Sequence, residues 1–384
     1  MTVLRKPAVR ISQGKRSLFL TSFTVAEFLS NGFYRVDRLD VQEGKGMQRL
    51  LSQTRARSFG NDLIDAQEHN EAFLPTSVFL ATSGSVDYDE ETSEIAFPID
   101  AYGGVCPFDV VDGQHRLEGL KIAAESTLAL LDFPLAVVIA HEMGETDKML
   151  QFITVNTKQR SVDRGVAQHI TARFSRMIEV ADVPHLPKWL RREVERGSDD
   201  RALDIVMRLN NEESSAWFQR IQFADEARSS THTITQNGFV TPLKRIVLNK
   251  FHTYNTMPIA PEKRIAVMMN FWLAVESVFV GEADGAEPKP ASVVYKTNGV
   301  VFFFTVLDTV LGALLKDRDF TKEAFVNCMS AAADHLDPDS AVLMSPEFWM
   351  SGGLAGSQNA RGMERLAATY SEAIVAAATQ EISV

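Results

Sequence analysis

The strongest chemical signal in the sequence is the polar run Asp-Gly-Gln-His-Arg at residues 112–116. It follows the mostly apolar residues 108–111, which predict a buried strand, and precedes a helix whose buried positions include Leu117 and Leu120. Gly113 permits a tight turn and lets a ligand approach the backbone. The unpaired amide groups and the dipole of a helix N-terminus attract anions. The pattern therefore predicts a phosphate-binding turn between a strand and a helix.

Each side chain of this turn has a predicted role. Arg116 can bind two phosphate oxygens at once, and Gln114 and His115 add hydrogen-bond donors. Asp112 is placed to cap the helix, to orient Arg116 or His115, or to hold a metal ion bound to phosphates. If the turn performs chemistry, the catalytic candidates are Asp112, His115 and Arg116. The alternative is a passive turn, because Asp-Gly is a common turn pair and His115 suits a surface position.

Two further polar clusters belong to the same part of the chain. One follows a pair of glycines, and the other follows a helix that leaves a buried strand. The first cluster is also consistent with a solvated helix start. Together with the turn, the clusters predict a three-part pocket for a nucleotide. They add these candidate phosphate-binding residues: Gln48, Arg49, Asn156, Lys158, Gln159 and Arg160.

The elements that must position these residues differ between the two parts of the chain. Residues 33–39 alternate as a half-buried strand does, residues 47–66 predict a helix at least in their second half, and residues 134–140 predict a strand inside a sheet. Beyond about residue 160 the pattern is almost entirely helical. We therefore predict an α+β protein, with a mixed-sheet domain at residues 1–160 and a mostly α-helical domain at residues 161–384.

Composition narrows the functional classes. The chain has 384 residues and 45% hydrophobic residues, enough for a sizeable core. No apolar run reaches the roughly 20 residues of a membrane span, so a cytoplasmic protein without a membrane partner is expected. Two cysteines exclude a disulfide framework and a zinc–thiolate cage, and Cys106 is interpreted as a buried structural thiol. The histidines show no metal-binding spacing.

The charge is unevenly distributed. The net charge is −11, yet residues 1–60 contain eleven Lys or Arg against four Asp or Glu. This excludes a wholly basic surface but allows a local one that contacts phosphates. In the helical part, a second basic stretch is interleaved with Glu193 and Glu195, which favour a solvated helix face instead. The candidate DNA-binding residues of that stretch are Lys188, Arg191, Arg192 and Arg196.

Three segments resemble a known family. Residues 110–120 resemble the signature of the DGQHR-domain family, which includes DndB-type proteins of bacterial DNA phosphorothioation systems and relatives in defence loci. Residues 46–49, followed by Ser52 and Arg55, resemble the early Gln-Arg motif of that family. Residues 152–162 resemble its Asn-Thr-Lys-Gln motif.

The resemblance covers roughly residues 30–180. More distantly, the order of features is similar to the ParB/sulfiredoxin fold, in which a Gly-x-x-Arg turn binds nucleotide phosphates. Gly113 and Arg116 occupy those places. Gln114 stands where sulfiredoxins carry a catalytic cysteine, so thiol phosphotransfer at this turn is excluded. The resemblance implies a ParB/sulfiredoxin-like N-terminal domain followed by the helical domain.

Four functions remain open at this stage. The first is a DNA-binding regulator or accessory protein of a phosphorothioation-type DNA-modification system, with a nucleotide-binding turn. Its expected partners are DNA, other proteins of the system and further copies of the chain. The second is a slow ParB-like NTPase, with ATP or another nucleotide and Mg²⁺ as cofactors and no Walker A loop.

The third function is a nuclease, and the fourth is a scaffold with a vestigial pocket. A nuclease would need converging carboxylates. Asp109 and Asp112 are three apart on a strand, which predicts that they lie on opposite faces. The nuclease is therefore the least favoured of the four.

Overall fold

The computed structural model describes residues 3–29, 34–98, 108–158, 164–177, 188–281 and 292–380. The chain forms two compact units, Met1–Ile170 and Thr171–Val384. The first unit contains an eight-stranded sheet, and the second is mostly helical. The predicted α+β class is therefore confirmed.

The sheet of the first unit is mixed. Its strand order is β3–β7–β4–β8–β2–β1–β6–β5. The β3–β7 and β4–β8 pairs are parallel, and the other neighbouring pairs are antiparallel. The strands are β1 (Val3–Gln13), β2 (Arg16–Thr24), β3 (Tyr34–Arg35), β4 (Val78–Ala81), β5 (Asp87–Asp89), β6 (Glu94–Pro98), β7 (Phe108–Asp112) and β8 (Pro134–Ala140).

Four helices accompany this sheet, and a fifth begins in the first unit and ends in the second. They are α1 (Val25–Leu29), α2 (Gln53–Glu68), α3 (Gln114–Ser126), α4 (Glu145–Lys158) and α5 (Arg164–Met177). Alternation along β8 separates the two faces of the sheet, because Val137 and Ile139 are fully buried while Val138 is only half-buried. The buried face shares its core with Leu63 of α2 and Leu120 of α3. Helix α4 packs near β7 and lines the opposite face, which bears the candidate site.

Helices α2 and α3 approach each other through two glycines. A Cβ atom on Gly119 would lie 2.5 Å from a ring carbon of Phe59 and 2.7 Å from the carbonyl oxygen of Ala56. A Cβ atom on Gly60 would lie 2.8 Å from the carbonyl oxygen of Gly119. The bare backbones therefore fix how closely α3 can lie against α2.

Two predicted elements are shorter than the sequence pattern suggests. The helix predicted at residues 47–66 begins only at Gln53, because the Ser52 hydroxyl accepts a hydrogen bond from the Arg55 amide and caps it. The strand predicted at residues 33–39 is confined to β3, followed by isolated bridges. The turn that replaces the rest needs Gly46, where a Cβ atom would overlap the Arg38 carbonyl group.

The second unit contains ten helices among its described residues, after α5. Two short parallel strands, β9 (Ile221–Gln222) and β10 (Ile234–Thr235), interrupt them. The helices are α6 (Lys188–Arg196), α7 (Ser198–Asn211), α8 (Gln236–Pro242), α9 (Thr253–Thr256), α10 (Arg264–Phe279), α11 (Thr297–Leu314), α12 (Lys322–Ala331), α13 (Pro346–Trp349), α14 (Leu354–Ser357) and α15 (Ala360–Gln380).

Helix α11 is the centre of the second unit. It contacts α8, α12 and α15, and its ring Phe304 packs edge-on against Phe239 and Trp272. Among the described residues, α11 is the one helix that is long and apolar enough to cross a membrane, and 56% of it is buried inside the protein. Burial of this kind is typical of a core helix.

Candidate functional site

The predicted turn joins β7 to α3. β7 ends at Asp112, and Gly113 has a left-handed backbone with φ 114° and no side-chain cap on the helix. A Cβ atom at Gly113 would lie 3.3 Å from both methyl groups of Val78. Positive φ and close packing together explain why glycine occupies this position.

Arg116 is fixed in place by two hydrogen bonds. Its Nη2 donates to Asp112 Oδ2 at 2.7 Å, and its Nη1 donates to the carbonyl oxygen of Ser77 at 2.7 Å. The ion pair is mostly shielded, with 18% of the Arg116 side chain and 27% of the Asp112 side chain exposed. Of the three roles considered for Asp112, the orientation of Arg116 is the one that its ion pair fits.

Gln48 supports the turn from inside the protein. Its amide Nε2 donates to the carbonyl oxygens of Val110 and Val111, at 2.8 and 2.9 Å, and only 3% of the residue is exposed. Two consecutive carbonyl groups of a regular strand point in opposite directions. A break in the β4–β7 register leaves Val111 unpaired, and such a bulge lets both oxygens face one amide group.

The rest of the turn is also bonded to the Gln-Arg segment. The Ser52 amide donates to His115 Nε2 at 3.1 Å, and Gln114 Nε2 donates to the Arg49 carbonyl oxygen at 3.4 Å. Burial lowers the pKa of His115, and the Arg49 and Arg55 guanidinium groups lower it further. His115 is therefore held neutral, as an acceptor on the nitrogen that faces Ser52.

A groove of about 890 Å³ lies beside the turn. Its floor is formed by β2, β4 and β8, and α4 forms one wall. From the turn itself, Asp112 and Arg116 line it. Among the described residues the full lining is Gln13, Arg16, Ser17, Leu18, Pro75, Thr76, Ser77, Phe79, Asp112, Arg116, Val138, Ala140, Met143, Gln151 and Val155.

A second arginine lines the groove, and it belongs to none of the motifs found in the sequence. Arg16 stands at the start of β2 and forms an ion pair with Asp147 in the first turn of α4, at 2.5 Å. Its Nη1 also lies 3.3 Å from the Met143 sulfur. The strand β2 is thereby linked to α4.

The predicted site residues are thus divided between two environments. The turn and the cluster at Gln48 and Arg49 do come together, because Gln48, Gln114 and His115 bond between them. These side chains point into the protein and are absent from the described groove lining, whereas Asp112 and Arg116 face the groove. The side chains that hold the turn are therefore distinct from those that can touch a ligand.

The polar cluster at residues 156–160 is only partly described. Asn156 lies near the end of α4 and its Nδ2 donates to the Phe152 carbonyl oxygen within the same helix. Lys158 is the last residue of α4, and its side chain lies outside the description, as do Gln159 and Arg160 altogether. The α4 residues that reach the groove are Gln151 and Val155.

A buried charge cluster near the site was not predicted. Asp109 is almost fully buried and bonds to Arg35 and to Lys148, whose Nζ lies 2.5 Å from Asp109 Oδ2. Lys148 is itself buried, so its charge is compensated inside the protein. The sequence feature that could have indicated this cluster is Asp109, a charged residue between the apolar residues Phe108 and Val110 of β7. Asp109 therefore ties α4 to β7 and does not face the groove.

The DNA-binding candidates lie on α6 in the second unit. Arg192 and Arg196 are exposed, and Arg196 forms an ion pair with Glu193 at 3.3 Å. Glu193 also binds Lys244 at 2.8 Å. Arg191 is half-buried, and the side chain of Lys188 is not among those described. The interleaved Glu193 thus offsets part of the positive charge of this helix.

Possible metal ligands were sought across the described ranges, from residue 3 to residue 380 with their gaps. Within them, no group of three or more His, Cys, Asp or Glu side chains comes together.

Comparison with known proteins gives one match. Neither curated proteins nor solved structures match the chain. Residues 6–171 match the sequence profile of the DndB family, described as DNA-sulfur modification-associated. The match spans the sheet, the turn and the groove, and it agrees with the motif resemblance. It associates residues 6–171, a little under half of the chain, with the DndB family and with DNA sulfur modification.

Proposed function

We propose that this chain is a regulatory or accessory protein of a DNA sulfur-modification system whose first unit binds a phosphorylated nucleotide ligand. The observation that carries the proposal is that the Asp112–Arg116 pair faces a groove of about 890 Å³. Sites for small ligands usually enclose about 300–1,000 Å³. The family match supplies the biological setting.

Arg116 is the group that would bind the phosphate. A guanidinium group has five N–H donors in one plane, and the contacts to Asp112 and Ser77 use only two of them. These contacts fix the orientation of the plane before a ligand arrives, which lowers the entropic cost of binding. A phosphate in the groove would meet the remaining donors.

The anion site therefore differs from the one that the sequence alone suggests. Helix amides were expected to bind the phosphate, but Gly113 and Gln114 are not part of the described lining. In the proposed arrangement Arg116 contacts the ligand. Gln48, Gln114 and His115 act indirectly, because they hold the turn that presents Arg116.

A thermal-shift screen with ATP, CTP and GTP tests this proposal. A ligand at 100 times its Kd should stabilise the folded protein by about 2.7 kcal/mol. Arg116→Ala should abolish the shift, and Arg116→Lys should reduce it, because lysine keeps the charge but loses the planar fork. Arg208→Ala is the control, since Arg208 pairs with the exposed Asp204 of α7 and lies outside the groove.

Titration calorimetry separates loss of binding from loss of folding in these variants. Binding that survives Arg116→Ala unchanged would remove the turn from the site. Absence of binding by any nucleotide to the unaltered protein would remove the proposal itself.

Nucleotide hydrolysis is a second candidate function. It is favoured by the Asp112 carboxylate, which lies in the groove beside a cation and could orient an attacking water molecule or contact Mg²⁺. Phosphate release from the unaltered protein that is lost in both Asp112→Asn and Arg116→Ala would support it. Equal release from all three proteins would indicate a contaminating enzyme.

Duplex-DNA contact by α6 is a separate part of the proposal. It is supported by the exposure of Arg192 and Arg196. Affinity for duplex DNA should fall as salt rises, and changing both arginines to alanine should lower the slope of log K against log salt by about 2. An unchanged slope would place DNA contact elsewhere.

A further inference from the structure

We infer that the groove takes a short single-stranded nucleic-acid segment, with Arg116 and Arg16 each binding one of two separated phosphates. The inference rests on the proposed function and names the ligand class of the same site. The observation that prompts it is the presence of an arginine in two different parts of the groove lining. A mononucleotide would engage only one of them.

The strand register shows how far apart these arginines are. Phe79 of β4 is paired with Asp112 on one side and with Val138 of β8 on the other. Arg16 lies two residues before Leu18, which is paired with Ala140. With the usual spacings within and between strands, the Cα atoms of Arg16 and Asp112 are roughly 15–20 Å apart. A ligand that contacts both arginines must therefore be extended, as a short oligonucleotide is.

The floor between the arginines suits nucleobases. It consists of Leu18, Phe79 and Val138 side chains, which offer apolar contact without sequence preference. The apolar surface continues beyond the groove, because Leu20 and its cross-strand neighbour Val9 are 41% and 60% exposed. Polar side chains at the sides of the groove can bond to sugars and phosphates: Gln13, Ser17, Thr76, Ser77 and Gln151.

The two arginines differ in how firmly they are held. Arg116 is mostly shielded and has two partners, so it is a fixed anchor. The Arg16–Asp147 pair is exposed, at 45% and 34% of the two side chains. Exposed ion pairs contribute about 0–1 kcal/mol, so a phosphate can replace the Asp147 carboxylate at little cost. Arg16 would then turn from α4 to the ligand.

The size and surface of the groove favour a single strand over a duplex. Bases in a duplex are stacked and paired, and they expose only their edges in the grooves of the DNA. Apolar contact with the floor requires base faces, which single strands provide. A volume of about 890 Å³ holds a few nucleotides and not a double helix.

The test compares two probes on five proteins. The probes are thymidine monophosphate and a three-thymidine oligonucleotide with a 5′-phosphate, measured by titration calorimetry. The proteins are the unaltered chain, Arg116→Ala, Arg16→Ala, Asp147→Asn and the control Arg208→Ala. Circular dichroism confirms that each variant is folded.

Arg116→Ala should weaken binding of both probes. Arg16→Ala should weaken the oligonucleotide about tenfold, the usual effect of losing a hydrogen bond to a charged group, and leave the mononucleotide unchanged. Asp147→Asn should strengthen oligonucleotide binding, because Arg16 no longer has to leave a carboxylate. Arg208→Ala should match the unaltered protein.

Different failures have different meanings. If Arg116→Ala weakens both probes and Arg16→Ala weakens neither, the inference is overturned and the proposed function stands. Tighter binding of the corresponding duplex than of the single strand would also overturn it. If the unaltered chain binds neither these probes nor any nucleotide, the proposed function falls as well.

Discussion

At the scale of single residues, most polar side chains of the two motifs stabilise the turn and do not face the groove. Gln48 binds two carbonyl oxygens of β7, and His115 accepts the Ser52 amide. Buried polar groups contribute modestly when bonded and cost much when left unpaired. Changes at these positions should therefore alter stability first and ligand binding only as a consequence.

Gln48→Ala should lower the free energy of unfolding by about 3 kcal/mol, because two buried carbonyl groups lose their donor. Urea denaturation measures the change. Gln53→Ala is the matched control, since Gln53 is exposed at the start of α2, and it should stay within about 0.5 kcal/mol of the unaltered protein. A similar effect of both substitutions would contradict the structural role of Gln48.

His115 should make stability depend on pH. Burial and the neighbouring Arg49 and Arg55 lower its pKa in the folded state, with Asp112 opposing in part. Between the folded and unfolded pKa values the unfolded chain binds more protons. The stability from neutral His115 is thus complete above the unfolded pKa of about 6.5, and it is lost as pH falls towards the folded value.

The comparison with His115→Gln isolates this effect. Glutamine can accept the Ser52 amide hydrogen bond but does not titrate. Between about pH 7.5 and about pH 5.5, the unaltered protein should lose more stability in urea denaturation than His115→Gln. Parallel losses in the two proteins would show that other groups cause the pH dependence.

At the scale of elements, helix packing fixes the position of α3 and hence of Arg116. The bare backbones of Gly60 and Gly119 let α2 and α3 lie in direct contact. A larger residue would push α3 outward, and its first turn would move with it. The orientation of Arg116 therefore depends on a contact in the second turn of the helix.

Gly119→Ala should destabilise the protein by about 1–3 kcal/mol, the usual cost of overpacking, although alanine favours helix formation. Gly312→Ala provides the matched control. Gly312 is in α11, is exposed, and a Cβ atom there would meet nothing within 4 Å. That substitution should stabilise the protein by up to about 1 kcal/mol in thermal denaturation. Stabilisation by both would mean that the α2–α3 contact is loose.

At the scale of the whole molecule, ligand binding in the first unit can be distinguished from events in the second. In hydrogen-exchange mass spectrometry, a saturating bound nucleotide should slow exchange in β4, α3 and α4, because binding stabilises the folded state of the groove. Helices α10 and α11, which contribute nothing to the described lining, serve as the internal control. Equal protection throughout both units would argue against a local site.

The sequence predicts the fold class and the strand–turn–helix site because these depend on local patterns. Apolar periodicity marks β7, β8 and α3, and Gly113 marks the turn between them. The motif resemblance is confirmed by the family match over residues 6–171. Each of these features can be predicted from residues that are close together in the sequence.

What could not be predicted depends on tertiary pairing. Arg16 joins the groove only through the register of β2 on β8, which no local pattern encodes. Gln48 looks like a solvated residue until the bulge at Val111 turns two carbonyl groups towards it. Lys148 and Asp109 are far apart in sequence, so no local sequence pattern predicts that they form an ion pair.

The side-chain amide of Gln48 also affects how readily copies of the chain associate with one another. β3 pairs with only Phe108 and Asp109 of β7, so the next carbonyl groups would stand open near the end of the sheet. Open strand edges recruit strands from other molecules and seed aggregation. Val110 and Val111 are buried in the folded protein, so this edge becomes accessible only when the segment around Gln48 opens. By binding both oxygens, Gln48 opposes that opening. Its loss should therefore reduce soluble yield in crowded refolding, and increasingly so as protein concentration rises.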